Sequence, residues 1–110
     1  MALRVVDEIL ELAPVVEALA RTISRQNPEL AKQLRKAWPR VMCNTNEALH
    51  RMGGKRTNRL DDAMGEAREA HGVLRYAIAC NFIEGEQAEW ALDRVDKVTA
   101  TLHKLAHRHR

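Results

Sequence analysis

Apolar residues recur at three- and four-residue intervals along four stretches of this chain. Val6, Ile9, Leu10, Ala13, Val16, Ala20 and Ile23 form the first series, and Leu30, Leu34, Ala37, Trp38, Val41, Thr45, Ala48, Leu49 and Met52 the second. Leu60, Ala63, Met64, Ala67, Ala70, His71, Leu74, Ala77 and Ile78 make the third, and Ala88, Ala91, Leu92, Val95, Val98, Leu102 and Leu105 the fourth. Spacing of that kind gathers side chains on one face of an α-helix and scatters them on a strand. Aromatic residues are only 4% of the chain, while alanine and leucine are plentiful, a mixture that favours helices over a β-sandwich.

The punctuation between the stretches is that of helix ends. Asn27-Pro28-Glu29 reads as an N-cap, a proline at the first helical position and an acid in the first turn. Gly53-Gly54 ends the second stretch, and Thr57 or Asn58 is placed to cap the third, with Asp61 and Asp62 in its first turn. Asn81 suits a left-handed C-terminal cap, with Phe82 supplying the accompanying apolar contact. Helices are expected over about 2–25, 28–52, 58–80 and 84–106. Each is roughly 30–37 Å long at 1.5 Å per residue. Matched lengths and short connections predict an all-α, antiparallel up-down-up-down four-helix bundle in a single domain of 110 residues. Pro14 and Pro39 fall inside helices and free the carbonyls of Leu10 and Arg35, so both helices are expected to bend there. Gly65 and Gly72 lie on nearly one face of the third helix and would admit a neighbouring backbone.

No apolar run approaches the ~18 residues that a membrane span requires, and the N-terminus shows no signal-peptide pattern. A cytoplasmic protein is expected, with Cys43 and Cys80 as two buried, reduced thiols.

A net charge of +3 conceals strong segregation. Residues 21–59 hold ten cations and two acids, whereas 60–96 hold nine acids and three cations. Lys32, Lys36 and Arg40 follow at i, i+4 and i+8 with Arg35 adjacent, while Arg51, Lys55, Arg56 and Arg59 surround the Gly-Gly turn. Such a block can neutralise several phosphates of a nucleic acid in a salt-sensitive way with little base discrimination. It can equally be a solvated face, or pair with the acidic stretch from Asp61 to Asp96 across helices or subunits.

Other constellations lead away from catalysis and metals. Glu47-Ala48-Leu49-His50 has the Glu-x-x-His spacing of di-iron bundles, but Arg68 stands where a second motif would need Glu three before His71. His103 and His107 share a face near the C-terminus, where cations meet the helix dipole favourably; with Lys104, Arg108 and Arg110, His103 extends the basic surface. Gly53-Gly54-Lys55-Arg56-Thr57 is no phosphate loop, because Arg56 follows the lysine and a helix, not a strand, precedes it. No nucleophile, base and orienting group fall into a catalytic pattern, so a non-enzymatic protein without metal or cofactor is expected. Asn44 and Glu47 flank the second stripe as a polar pair for a helix or subunit interface. Trp38 is a core residue, and Trp90 lies off its helix's seam as a candidate oligomer contact.

Leu34-Arg35-Lys36-Ala37, then Val41, Asn44 and Glu47, a basic turn, and Ala67-Arg68 together resemble the four-helix-bundle proteins encoded in ribosomal RNA intervening sequences. Relatives of that family include the accessory variability determinant of diversity-generating retroelements. The resemblance runs from about Leu10 to Leu105. Pro39 stands earlier than the family's helix-two proline, Ala48 replaces a glycine after the Glu, and Glu69-Ala70 replaces Gly-Ser. The resemblance implies a homopentamer around a central pore with a basic surface. In the retroelement branch it further implies binding to RNA or DNA and to a reverse transcriptase.

Overall fold

A computed structural model of the chain describes residues 2–107, with side chains from residue 4 onward; Arg108 and Arg110, read above as part of the basic surface, lie outside it. Four helices follow one another: α1 (Ala2–Ser24), α2 (Pro28–Leu49), α3 (Gly53–Ala79) and α4 (Gly85–Ala106). Each packs on its neighbour in sequence, and α1 closes the ring against α4. The result is an antiparallel four-helix bundle measuring 43 × 23 × 20 Å, with no strand among the described residues.

The core follows heptad seams. Val5, Ile9, Leu12, Val16, Leu19 and Ile23 line α1, stepping alternately by four and three, and all are buried. Leu34, Trp38, Val41, Thr45 and Ala48 do the same in α2; Leu60, Ala63, Ala67, Ala70, Leu74 and Ala77 in α3; and Ala88, Ala91, Val95, Val98, Leu102 and Leu105 in α4. Steps of that kind keep one seam facing a partner helix along the whole length of a bundle. The seam of α1 is rotated from the sequence expectation. Leu10 is 50% exposed, and Val5, Leu12 and Leu19 are inside instead, because a heptad through Ile9 and Val16 selects them. Met52 also leaves the core: α2 stops at Leu49, and Met52 stands 87% exposed as the N-cap residue of α3.

Local chemistry fixes the ends. The Asn27 side chain accepts a hydrogen bond from the Leu30 amide at 3.0 Å, with Pro28 opening α2. Asn81 adopts φ of 62°, the Phe82 amide donates to Ala77 and the Asn81 amide to Ile78, which is a Schellman closure of α3. Helix α3 starts earlier than its anticipated Thr57 or Asn58 cap. Gly53, at φ of 61°, turns the chain and is already its first residue, so Thr57 lies inside the helix and bonds back to the Gly53 carbonyl. A glycine pair that reads as a stop signal here serves as a start.

Both internal prolines are accommodated within continuous helices. Pro14 has no amide hydrogen, and its ring crowds the preceding turn of α1. In that turn the Ile9 carbonyl accepts a buried hydrogen bond from Trp38 Nε1 at 3.0 Å. Trp38 is only 3% exposed, so this single bond ties α1 to α2 beneath the surface and satisfies the indole donor. The Thr45 hydroxyl is buried without a hydrogen-bond partner and acts as a valine-shaped packing group.

Two other expectations are corrected. Cys43 and Cys80 are exposed thiols: Cys43 falls between the seam positions Val41 and Thr45 of α2, and Cys80 is the C-cap residue beyond the end of α3. Gly65 and Gly72 admit no neighbouring helix of the bundle, since a Cβ built at either meets nothing within 4 Å.

Trp38→Phe removes the indole donor and part of its volume. Chemical denaturation followed by helical circular dichroism is expected to show a loss of about 1–3 kcal/mol; a change within about 0.3 kcal/mol would mean the bond contributes nothing. Gly72→Ala is expected to raise stability by about 0.5–1 kcal/mol, because helix propensity improves and nothing is displaced. A loss in that experiment would reveal a second molecule packed on this face.

Candidate nucleic-acid interface

Every cation of the basic block lies outside the core, as the inward heptad seams require. Lys32, Arg35, Lys36 and Arg40 are exposed along α2, Arg51 and Lys55 are exposed at the turn, Arg59 is exposed on α3, and Arg56 is half-buried there. The structure nevertheless divides them. Arg35 donates through Nε to Glu17 of α1 at 2.9 Å. Arg40 approaches Glu66 of α3 at 3.8 Å and borders a groove of about 510 Å³ that it shares with Asp61, Asp62 and Glu69. The acidic stretch of the sequence is therefore brought against the middle of the basic helix. Lys32 and Lys36 have no ionic partner within 4 Å among the described residues.

Between the lysine pair and the turn lie roughly four turns of helix, or about 20 Å. At the turn the positive charge is denser. Arg51, Lys55, Asn58, Arg59 and Asp62 line an open cleft of about 370 Å³. Lys55 and Arg56 have no ionic partner within 4 Å among the described residues. The first turn of α3 contains no acid and its N-cap provides no side-chain bond, so the positive end of the helix dipole adds to the cationic side chains. Antiparallel succession places the last turn of α4, with His103 and Lys104, at this same end of the bundle. The rings of His103 and His107 lie 4.4 Å apart. Among the described residues no three His, Cys, Asp or Glu side chains form a metal-binding group.

Asn44 and Glu47 organise the turn. Asn44 Oδ1 accepts a bond from Arg59 Nη1 at 3.1 Å, linking α2 to α3. Glu47 Oε2 accepts from Arg51 Nε at 2.8 Å and from a terminal nitrogen of the same guanidinium. Those bonds, the Arg51 charge, and the charges of Arg59 and His50 hold the Glu47 carboxyl below its ordinary range. Folding favours its ionised form, so this contact is in place at neutral pH and is lost as acid titrates the carboxylate. The Asn44–Arg59 link was hidden in the sequence, since it depends on how α2 and α3 align.

Away from the basic surface, Trp90 is 41% exposed on α4 with the Arg94 guanidinium 5.2 Å from its ring centroid. An apolar groove of about 280 Å³ runs between α1 and α2, lined by Leu10, Ala13, Trp38, Pro39 and Met42, with Arg35 and Glu17 also bordering it. No helix is long and apolar enough to cross a membrane among the described residues.

No protein-family model matches the sequence, and no curated protein does. Among solved structures, a protein of unknown function from the S23 ribosomal protein family of Bacteroides thetaiotaomicron has a TM-score of 0.83 and 24% identity, covering 94% of this chain and 98% of that one. The two proteins share a fold along nearly their full lengths.

Proposed function

We propose that this chain is a non-enzymatic nucleic-acid-binding accessory protein, acting as a homo-oligomer that offers the basic α2 and turn surface to RNA or DNA. The observation that carries this reading is the turn end of the bundle. There Arg51, Lys55, Arg56 and Arg59 gather around the uncapped start of α3, and Lys55 and Arg56 have no ionic partner within 4 Å among the described residues. Lysines and arginines free of internal partners can release counterions from a phosphate backbone on binding. Arg35 and Arg40 sit in exposed ion pairs worth about 0–1 kcal/mol each, which a polyanion can exchange.

The resemblance to proteins encoded in ribosomal RNA intervening sequences, and the ribosomal family name of the fold neighbour, favour RNA as the partner. A pentamer, with a reverse transcriptase as a further partner, is the finer form of this reading. Repeating a weak surface around a ring multiplies its hold on one long polyanion. No base-reading module accompanies the charge, so discrimination among sequences is expected to be slight.

A second reading rests on the apolar groove between α1 and α2 and on exposed Trp90. In it the bundle is a protein-interaction module whose basic block meets an acidic protein surface.

Replacing Arg51, Lys55 and Arg56 together by Glu separates the two. The first reading expects RNA binding, measured by fluorescence anisotropy at low salt, to be abolished with the oligomer mass unchanged. Dissociation of the oligomer by the same change would make the turn an interface. Affinity independent of salt in the unaltered protein would contradict a phosphate-dominated mode.

A further inference from the structure

One carboxylate lies inside the basic turn. Between Arg21 and Arg59 the chain has only Glu29 and Glu47 as acids, and Glu29 is in the first turn of α2, at the opposite end of that helix. Glu47 is held by two donors of Arg51. One turn earlier, Asn44 fixes Arg59, so a second guanidinium is placed beside the same stretch of α2. The charges of Arg51, Arg59 and His50 all act on the Glu47 carboxyl and favour its ionised form.

Cations grouped around one exposed anion constitute an anion site that is already filled. We infer that the turn contains a phosphate subsite, formed by Arg51 and Arg59, which the chain's own Glu47 carboxylate occupies until a nucleic-acid phosphate displaces it. The subsite rests on the reading of this turn as a nucleic-acid surface. A guanidinium fork fits a carboxylate and a phosphate alike, so Arg51 can exchange one for the other with little rearrangement. The Glu47–Arg51 pair lies within a single helical segment at i, i+4, whereas Arg35–Glu17 and Arg40–Glu66 each bridge two helices. Breaking it therefore leaves the packing of the bundle untouched. Asn44 is neutral and holds Arg59 in position without competing for the incoming charge. Asp62 also lines the cleft, but makes no ion pair within 4 Å among the described residues.

Glu47→Gln tests the subsite in the full-length chain, because Gln keeps the shape and removes the competing charge. Binding of a short RNA hairpin is expected to tighten about two- to fivefold at low salt, the equivalent of one exposed ion pair. The slope of log affinity against log salt is expected to stay close to that of the unaltered protein, because the same phosphate enters the subsite in both. Asp93→Asn is the control: it breaks another i, i+4 pair, with Lys97 on α4, and changes the net charge equally. An equal gain in that control would reduce the effect to net charge and overturn the subsite. Unchanged or weaker binding by Glu47→Gln, with the unaltered protein still binding, overturns the subsite alone and leaves the nucleic-acid reading standing. Binding by neither protein overturns both, while binding by Glu47→Gln alone supports an occupied subsite. Matching helical spectra qualify the variants, and the Arg51 Nε–H resonance gives a second reading in the unaltered protein. That resonance is expected to shift on adding RNA, and a fixed position with RNA bound would contradict displacement of Glu47.

Discussion

The molecule depends on one geometric constraint: four apolar seams stepping by three and four residues must all face a common axis. Once they do, the charged positions are kept out of the core, including the whole basic block. The choice of seam residues then sets how closely the helices approach. The α3 seam contains four alanines, Ala63, Ala67, Ala70 and Ala77, and Ala88 and Ala91 begin that of α4, whereas α1 contributes Val5, Ile9, Leu12, Val16, Leu19 and Ile23. Small side chains on one side of the bundle against branched ones on the other let facing layers interdigitate. Trp38 is the largest inward group, and its bond to the Ile9 carbonyl lets α2 accept an indole without an orphaned donor.

Much of this architecture is legible in the sequence, and the parts that are not have physical causes. The stripes of the second, third and fourth segments name most of the core, because heptad spacing survives in them with few competing apolar residues. The first segment is rich in apolar residues on several faces, so its spacing supports a stripe through Leu10 and Ala13, although the buried one runs through Leu12 and Leu19. Asn27 and Asn81 announce their caps through chemistry specific to asparagine, a short side-chain acceptor at one and tolerance of positive φ at the other. Gly53 misleads because glycine serves equally at the end of one helix and at the sharp entry to the next.

The candidate site was visible as composition but not as pairing. A charge count locates the basic block between Arg21 and Arg59, yet it cannot say that Arg40 faces the acids of α3 or that Arg35 reaches Glu17. Those contacts follow from antiparallel register, which brings residues far apart in sequence to one level of the bundle. The same register groups the α2–α3 turn with the last turn of α4, so Arg51, Lys55, Arg56 and Arg59 share one end of the bundle with His103 and Lys104. Asn44 and Glu47 gain a concrete role by this route, as the residues that hold Arg59 and Arg51 in place.

The central functional claim is that this end of an oligomeric bundle takes up a phosphate backbone. Light scattering with and without a short structured RNA, at low and at high salt, addresses it most directly. A particle of several copies is expected, whose mass increases with RNA at low salt and returns to that of the protein alone at high salt. A mass indifferent to RNA at both salt concentrations would contradict it.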